Sequence, residues 1–205
     1  MDKPDFGTYH HSSSEDSERL RETAEPMFKE AFSRLPVDRE KAISILDVGC
    51  GNGFLLSVAG MFYPASLLTG VDSFSGESLH GSSIAQARKN MDTLGIGART
   101  TILEVDLLNG KLPEEKFDLI ISNLVLHNLQ GKRFRAYRII REMLKDGGYF
   151  LNGDLFIPTW ALPDKFSHDM KKISSSFILE FTIEPPSSPI SFLKHYRLAV
   201  LRGIY

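Results

Sequence analysis

The sequence predicts an α/β fold in which helices cover both faces of a doubly wound sheet of seven mostly parallel strands. Short apolar runs alternate with helical patterns from residue 42 to residue 155, as in parallel strands joined by helices. Continuous apolar runs such as Leu119–Ile121 suit strands that are buried on both faces. Two final strand-like runs, 175–183 and 195–204, have no helix between them, which predicts a terminal pair containing one antiparallel strand.

The first 41 residues are predicted to form an N-terminal arm and a helical cap, separate from a larger unit spanning residues 42–205. Residues 1–14 are polar and are expected to be a mobile arm. Apolar residues then recur at three- and four-residue steps from 15 to 35, which predicts a helix. Pro26 lies within this pattern and predicts a kink or two short helices.

The larger unit begins with a strand that ends in a glycine-rich turn, and the alternation continues from there. Strands are predicted at 42–48, 66–71, 100–105, 117–122 and 149–155, and helices at 54–62, 82–94 and 133–144. Gly95 is expected to end the second of these helices, and the turn at 146–148 to end the third.

Composition excludes several classes of function. The chain has 205 residues and a net charge of −2, so no global positive charge attracts nucleic acid or anionic membranes. A local basic run at 132–138 is more typical of a solvated helix surface. The single cysteine, Cys50, fits a reducing compartment. We expect a cytoplasmic protein, because the sequence shows neither an apolar leader nor a run near the ~20 residues of a membrane span.

The most informative stretch is the nonapeptide 45–53, Ile-Leu-Asp-Val-Gly-Cys-Gly-Asn-Gly. A strand leaves its carboxyl end through glycines and enters a helix, which is where open α/β sheets bind ligands. A nicotinamide dinucleotide would favour a third glycine at position 54, and that position is Phe54. The sequence therefore disfavours a nicotinamide oxidoreductase without excluding it.

The nonapeptide resembles motif I of the class I S-adenosylmethionine-dependent methyltransferases. The stretch Leu144–Phe150 is similar to the Leu-Lys-x-Gly-Gly turn of the same family. The resemblance implies a Rossmann-like fold, methyl transfer, S-adenosyl-L-methionine as cofactor and S-adenosyl-L-homocysteine as product. It also implies that residues 42–205 form the cofactor-binding methyltransferase domain. The loop residues implied to bind the cofactor are Asp47, Gly49, Gly51 and Gly53.

Four further cofactor contacts follow from the resemblance. Asp72, at the end of the second strand, matches the family's acceptor of the ribose hydroxyls. Asp106 matches the acid that receives the adenine amino group, and the backbone amide of Leu107 would read a ring nitrogen. An exposed loop carboxylate is the competing interpretation of Asp106. Asn123 is expected beside the methionine part of the cofactor.

His127 is the candidate catalytic residue. It follows the fourth strand in a Ser-x-x-x-x-His pattern that is common in small-substrate methyltransferases, and histidine can accept a proton near neutral pH. A packing or hydrogen-bonding histidine at a helix start is an equally good interpretation. Asp154, at the end of the fifth strand, is a second candidate, with a strand-end turn as its alternative.

Tyr9 is a candidate lid residue, because an N-terminal segment covers the cofactor in many members of this family. His10 and His11 follow it, but no acidic or cysteine ligands accompany them at zinc-site spacing, so we predict no metal.

The sequence favours methyl transfer to a small or medium-sized acceptor. The Asp/Asn-Pro-Pro-Tyr tetrapeptide of adenine-N6 and glutamine methyltransferases is missing, which counts against nucleobase amino groups. Two alternatives stay open. One is a methyltransferase acting on protein or RNA, and the other is a catalytically idle cofactor-binding module of the same fold. We expect a small-molecule partner, with nucleic acid and membrane as unfavoured partners.

Overall fold

The computed structural model describes residues 3–10, 12–75, 78–186 and 193–204, and these residues contain nine strands in two sheets. The large sheet has seven strands, and the small one pairs two short strands at the N-terminal arm. In chain order the strands are β1 Thr8–Tyr9, β2 Ser44–Val48, β3 Leu67–Asp72, β4 Leu79–His80, β5 Thr100–Glu104, β6 Phe117–Asn123, β7 Leu144–Leu155, β8 Phe177–Ile183 and β9 Tyr196–Gly203.

The large sheet has the order β5-β3-β2-β6-β7-β9-β8. The strands from β5 to β7 are parallel, and β9 runs antiparallel to both of its neighbours. The predicted doubly wound sheet with one antiparallel strand in the terminal pair is therefore confirmed. From β2 the chain first winds outward to β3 and β5 and then returns to the other side of β2 as β6. The carboxyl ends of β2 and β6 thus form the switch point where such sheets bind ligands.

Five helices pack on the two faces of the sheet in the described residues. They are α1 Ser14–Arg34, α2 Phe54–Phe62, α3 Ile84–Thr93, α4 Arg133–Met143 and α5 Lys165–Ile173. The alternation of side chains along each strand divides the core into two clusters: Ile45 belongs to the cluster with α1, α2 and α3, and Leu46 to the cluster with α4 and α5. No helix among these residues combines the length and the apolar character needed to cross a bilayer.

The N-terminal region differs from its prediction in two respects. The helix α1 is a single helix of 21 residues that continues through Pro26, instead of two short ones. Residues on both sides of the proline are buried in one cluster, Leu20 before it and Phe28 after it, so packing holds the two halves in line. The arm is also not wholly free, because β1 pairs antiparallel with β4. His11 lies outside the described residues.

The sequence analysis missed α5 and placed the start of β7 too late. Asp164 caps α5 by accepting the amide N–H of Ser167, and Phe166, Met170 and Ile173 pack into the second cluster. The strand β7 begins at Leu144, which pairs with Phe117 ahead of an irregularity in the ladder. A short capped helix after a proline-rich stretch is a weak local signal, and packing against the second cluster stabilises it.

Candidate functional site

A cavity of about 720 Å³ lies at the carboxyl ends of β2, β3, β5 and β6. Ligand sites commonly have volumes of about 300–1,000 Å³. Most of the residues singled out from the sequence line it, as does the N-terminal arm. The lining residues that concern the argument are Phe6, Tyr9, Asp47, Gly49, Gly51, Asp72, Asp106, Leu107 and Asn123.

The glycine loop is shaped as much by its protein neighbours as by the cavity. Gly49 has a φ of 74°, and a Cβ at this position would lie 2.3 Å from a methyl carbon of Val125. Gly53 is the N-cap of α2 with a φ of 85°, and it is not among the residues that line the cavity. A Cβ there would lie 2.6 Å from Met91 of α3. The third glycine of the motif therefore serves helix packing, while the first two border the cavity.

Asp72 ties the end of β3 to the glycine loop. Its Oδ2 accepts the backbone N–H of Gly51 at 2.9 Å, and its Oδ1 accepts that of Phe74 at 2.8 Å. Each carboxylate oxygen has a second lone pair, so the group can still accept hydroxyl donors from a ligand. The carboxylate predicted to hold a ribose is thereby fixed in place at the cavity wall.

Asp106 is exposed and organises its own turn. Its Oδ1 accepts the backbone N–H of Leu108 at 2.7 Å, and its Oδ2 accepts the side-chain amide of Asn109 at 3.1 Å. These hydrogen bonds, the Asn109 amide foremost, lower the pKa of the Asp106 carboxyl. Leu107 lies between these residues on the cavity wall. Asp106 therefore stabilises its own turn, and this role is independent of any contact with a ligand.

Asp47 is buried and only partly satisfied. It is 1% exposed, and its Oδ2 has no hydrogen-bond partner among the described residues. Burial raises the pKa of the Asp47 carboxyl well above its usual range, and the negative charge of Asp72 adds to the shift. An unpaired acceptor in a buried place costs about 1–3 kcal/mol. The site therefore favours a donor or a cation next to Asp47.

Asn123 is held at the end of β6 by two tyrosines. The Tyr196 hydroxyl donates to Asn123 Oδ1 at 2.7 Å, and the Asn123 side chain also interacts with the Tyr9 hydroxyl. Burial raises the pKa of the Tyr9 phenol, while the Arg21 charge and side-chain hydrogen bonds from Arg21 and Asn123 act in the opposite direction. The Tyr9 hydroxyl therefore stays protonated at neutral pH and lies where the arm, β6 and α1 meet.

Arg21 is a buried charge next to the cavity-lining Tyr9, and the sequence analysis did not identify it. It is 7% exposed, its Nη2 donates to the Gly7 carbonyl at 2.9 Å, and its guanidinium carbon lies 5.4 Å from the Tyr9 ring centre. Its Nε lies 3.3 Å from Glu18, and its Nη1 has no hydrogen-bond partner in the described part of the chain. The signal was present: Arg21 occupies the buried stripe of α1, four residues after Ser17.

His127 and Asp154 form a pair. The His127 Nδ1 lies 2.6 Å from one Asp154 oxygen, and the backbone N–H of His127 donates to the other at 2.9 Å. Asp154 is buried, and an ionised carboxylate in this position makes Nδ1 the donor and leaves Nε2 free to accept a proton. His127 is not among the residues that line the cavity, whereas its neighbours Val125 and Asn128 are.

Comparisons with known proteins agree with this geometry. A family model described as a methyltransferase domain matches residues 39–180. The malonyl-[acyl-carrier protein] O-methyltransferase of Legionella pneumophila is 23% identical over 84% of this chain and 61% of the relative. The ribosomal protein L11 methyltransferase of Agathobacter rectalis is 27% identical over 57% of this chain and 34% of the relative. The chain therefore spans less than two thirds of the length of these two curated relatives.

The fold is shared with solved methyltransferase structures. The N-methyltransferase NodS from Bradyrhizobium japonicum, in complex with S-adenosyl-L-homocysteine, superposes with a TM-score of 0.66 at 17% identity. The match covers 94% of both chains.

Proposed function

The chain belongs to the class I S-adenosylmethionine-dependent methyltransferases, and from that premise we propose that it binds S-adenosyl-L-methionine in the cavity at the switch point and methylates a small or medium-sized acceptor there. One observation carries the proposal. The cavity brings together the glycine loop, Asp72 and Asn123, which lie at the carboxyl ends of three different strands, in the order that the family motifs require. The proposed cofactor contacts are Asp47, Gly49, Gly51, Asp72, Asp106, Leu107 and Asn123, with Gly53 supporting the loop.

The residues present fit such a cofactor. Asp72 offers acceptor lone pairs for two hydroxyls, and the buried Oδ2 of Asp47 lacks a donor. When bound, the cofactor supplies a methyl group that is already activated by the sulfonium. The protein therefore needs no group of its own to activate the bond between the methyl carbon and sulfur. The work of this chain is to hold the donor and the acceptor in line and to exclude water from the cavity.

An acceptor that carries a proton also requires a base, and we assign that role to His127. Asp154 holds the imidazole by its Nδ1, so the proton of the acceptor would pass to Nε2. Asp154 would then stabilise the imidazolium that results. In this proposal Asp154 is a positioning residue, since it acts through the histidine.

An acceptor presented on a protein is the second candidate. The relatives described above are named for an acyl-carrier protein and for a ribosomal protein. Activity on free small molecules supports the first proposal, whereas activity only on a protein-bound acceptor supports the second. No turnover with either class, together with intact cofactor binding, supports the idle binding module.

Isothermal titration calorimetry tests the cofactor assignment. We expect S-adenosyl-L-homocysteine to bind at least 100-fold more tightly than NAD under the same conditions. Tighter binding of NAD would overturn the proposal.

A further inference from the structure

The segment 124–130, which carries His127, begins and ends at strained backbone. Leu124 has a φ of 59° and Gln130 a φ of 48°, in a region that favours glycine. Gln130 lines the cavity, as do Leu124 and Asn128 of the same segment. Such strain persists only where the surrounding structure holds it. The contacts of Gln130 therefore bear on how this wall of the cavity is fixed.

Arg133, the first residue of α4, contacts Gln130 and is itself anchored on α5. Its Nη1 donates to the Gln130 carbonyl at 2.7 Å. Its Nε and Nη2 donate to the two carboxylate oxygens of Asp169, at 2.7 and 2.6 Å. Arg133 is 9% exposed and Asp169 is 1% exposed, so this bidentate pair is shielded from water. One guanidinium thus joins α5 to the end of the segment 124–130.

The charge of Arg133 also acts on the pair formed by His127 and Asp154. The hydrogen bonds to Asp169 are the main cause that raises the pKa of the Arg133 guanidinium, burial opposes them, and the negative charge of Asp154 adds to the rise. His168 contacts Asp169 as well, with its Nδ1 3.1 Å from Oδ1. Arg133 therefore interacts with two buried carboxylates, directly with Asp169 and at longer range with Asp154.

We propose that Arg133 is a positioning residue for the proposed base: anchored by Asp169, it holds Gln130 in its strained conformation and so fixes the segment that presents His127. This inference rests on the proposed function. It adds a link to the base from α5, whose residues are not among those that line the cavity. Arginine suits this role because its planar fork binds a carboxylate with two donors and still offers a third to a carbonyl.

Hydrogen exchange of the free protein, measured by mass spectrometry, tests this positioning without an acceptor. The Arg133→Lys variant keeps a cation beside Asp169 but loses the planar fork. The amides of residues 124–130 should exchange at least about tenfold faster than in the wild type, because the Gln130 carbonyl loses a charged donor. The amides of β2 and β3 should keep their rates. Arg138→Lys, at an exposed position of the same helix, is the matched control and should change neither.

Nitrogen NMR spectroscopy of the protein labelled at histidine gives a second measurement, on the base itself. At alkaline pH the Nδ1 of His127 should carry the proton in the wild type, because it lies 2.6 Å from a carboxylate oxygen of Asp154. In Arg133→Lys the imidazole shifts should move toward a mixture of the two tautomers. A salt bridge that only stabilised the fold would leave this signal unchanged.

Two further variants complete the test. Asp169→Asn, which keeps one acceptor oxygen for the guanidinium, should give smaller changes of the same kind. Gln130→Gly in the Arg133→Lys background should restore most of the protection, because glycine adopts a φ near 48° without strain. Wild-type exchange and tautomer in Arg133→Lys, acceleration spread evenly over the chain, or failure of this rescue would overturn the inference. Failure of the wild type to bind S-adenosyl-L-homocysteine would instead overturn the proposed function.

Discussion

The two ends of the cavity are built differently. At the end formed by β3 and β5, Asp72 and Asp106 hold backbone N–H groups of nearby residues and keep contact with solvent. At the end formed by β2 and β6, Asp47 is buried, and one of its carboxylate oxygens has no hydrogen-bond partner among the described residues. The first end is complete without a ligand, whereas the second lacks partners that a ligand can supply.

This difference has an energetic consequence. A carboxylate whose oxygens already accept hydrogen bonds costs the free protein little stability. A ligand hydroxyl that donates to it adds a moderate amount of binding free energy. A buried group without a partner costs about 1–3 kcal/mol in the free protein, and a matching ligand restores that amount. A donor from a bound ligand should therefore change the protonation of Asp47 more than that of Asp72 or Asp106.

The largest effect is expected at His127, which follows β6. His127→Ala should lower turnover of an identified acceptor by about 10²–10⁴-fold and flatten its pH dependence, because a general base contributes about this much. Calorimetry with S-adenosyl-L-homocysteine should give the wild-type affinity. Asp154→Asn, which keeps the size but removes the charge, should cause a smaller loss. Lower thermal stability with unchanged turnover per folded molecule would make His127 a structural residue.

Asp72→Ala tests the proposed contact with the ribose. Loss of two charge-assisted hydrogen bonds, even with water as a replacement, should weaken S-adenosyl-L-homocysteine at least tenfold, about 1.4 kcal/mol. Methylthioadenosine, which lacks the amino-acid part, should lose affinity by the same factor in a parallel titration. Asp146→Ala, at an exposed position near the start of β7 and away from the carboxyl ends of the strands, is the control. An unchanged dissociation constant in a folded Asp72→Ala protein would remove Asp72 from the site.

Asp47 links cofactor affinity to pH. Its raised pKa means that the native free protein holds this proton more tightly than the unfolded chain, whose carboxyl titrates near ~3.9. Stability from this group is present at low pH and is lost as pH rises from that value through the raised pKa. A ligand ammonium favours the ionised form, so the affinity for S-adenosyl-L-homocysteine should rise over the same pH range.

The variant Asp47→Asn separates these two effects. It should raise the melting temperature of the free protein at neutral pH by about 2–4 °C, which corresponds to ~1 kcal/mol for a chain of this size. Its affinity for S-adenosyl-L-homocysteine should be severalfold lower and nearly independent of pH. A variant with the wild-type pH dependence would show that another group is responsible.

The smallest effect is expected at Asp106. Because this carboxylate is exposed and occupied by its own turn, Asp106→Ala should weaken S-adenosyl-L-homocysteine by about threefold or less, as for hydrogen bonds in competition with water. The Asn109→Ala variant, titrated with the same ligand, provides a comparison. It removes the side-chain amide that donates to Asp106 Oδ2 but keeps the carboxylate. A loss as large as that of Asp72→Ala would show that both carboxylates carry the adenosine.

The sequence by itself determined the fold and the family, and it placed the glycine loop and Asp72 at strand ends. Alternating strands and helices, the terminal strand pair, the glycine loop and Asp72 are signals whose parts lie within a few residues of one another. Such local signals can be recognised in the sequence because strand ends and tight turns depend on backbone geometry. Residues close in sequence determine that geometry. Gly53 was recognised through its motif, but only the structure relates it to Met91.

The tertiary structure decided which side chains from distant parts of the chain meet. Nothing in the sequence pairs His127 with Asp154, Tyr196 with Asn123 or Arg21 with Tyr9, because each pair joins elements that meet only after the sheet and α1 have packed. The same packing straightens α1 through Pro26 and orders α5. Burial makes an unpaired polar group costly and shifts its pKa, and burial depends on the whole fold.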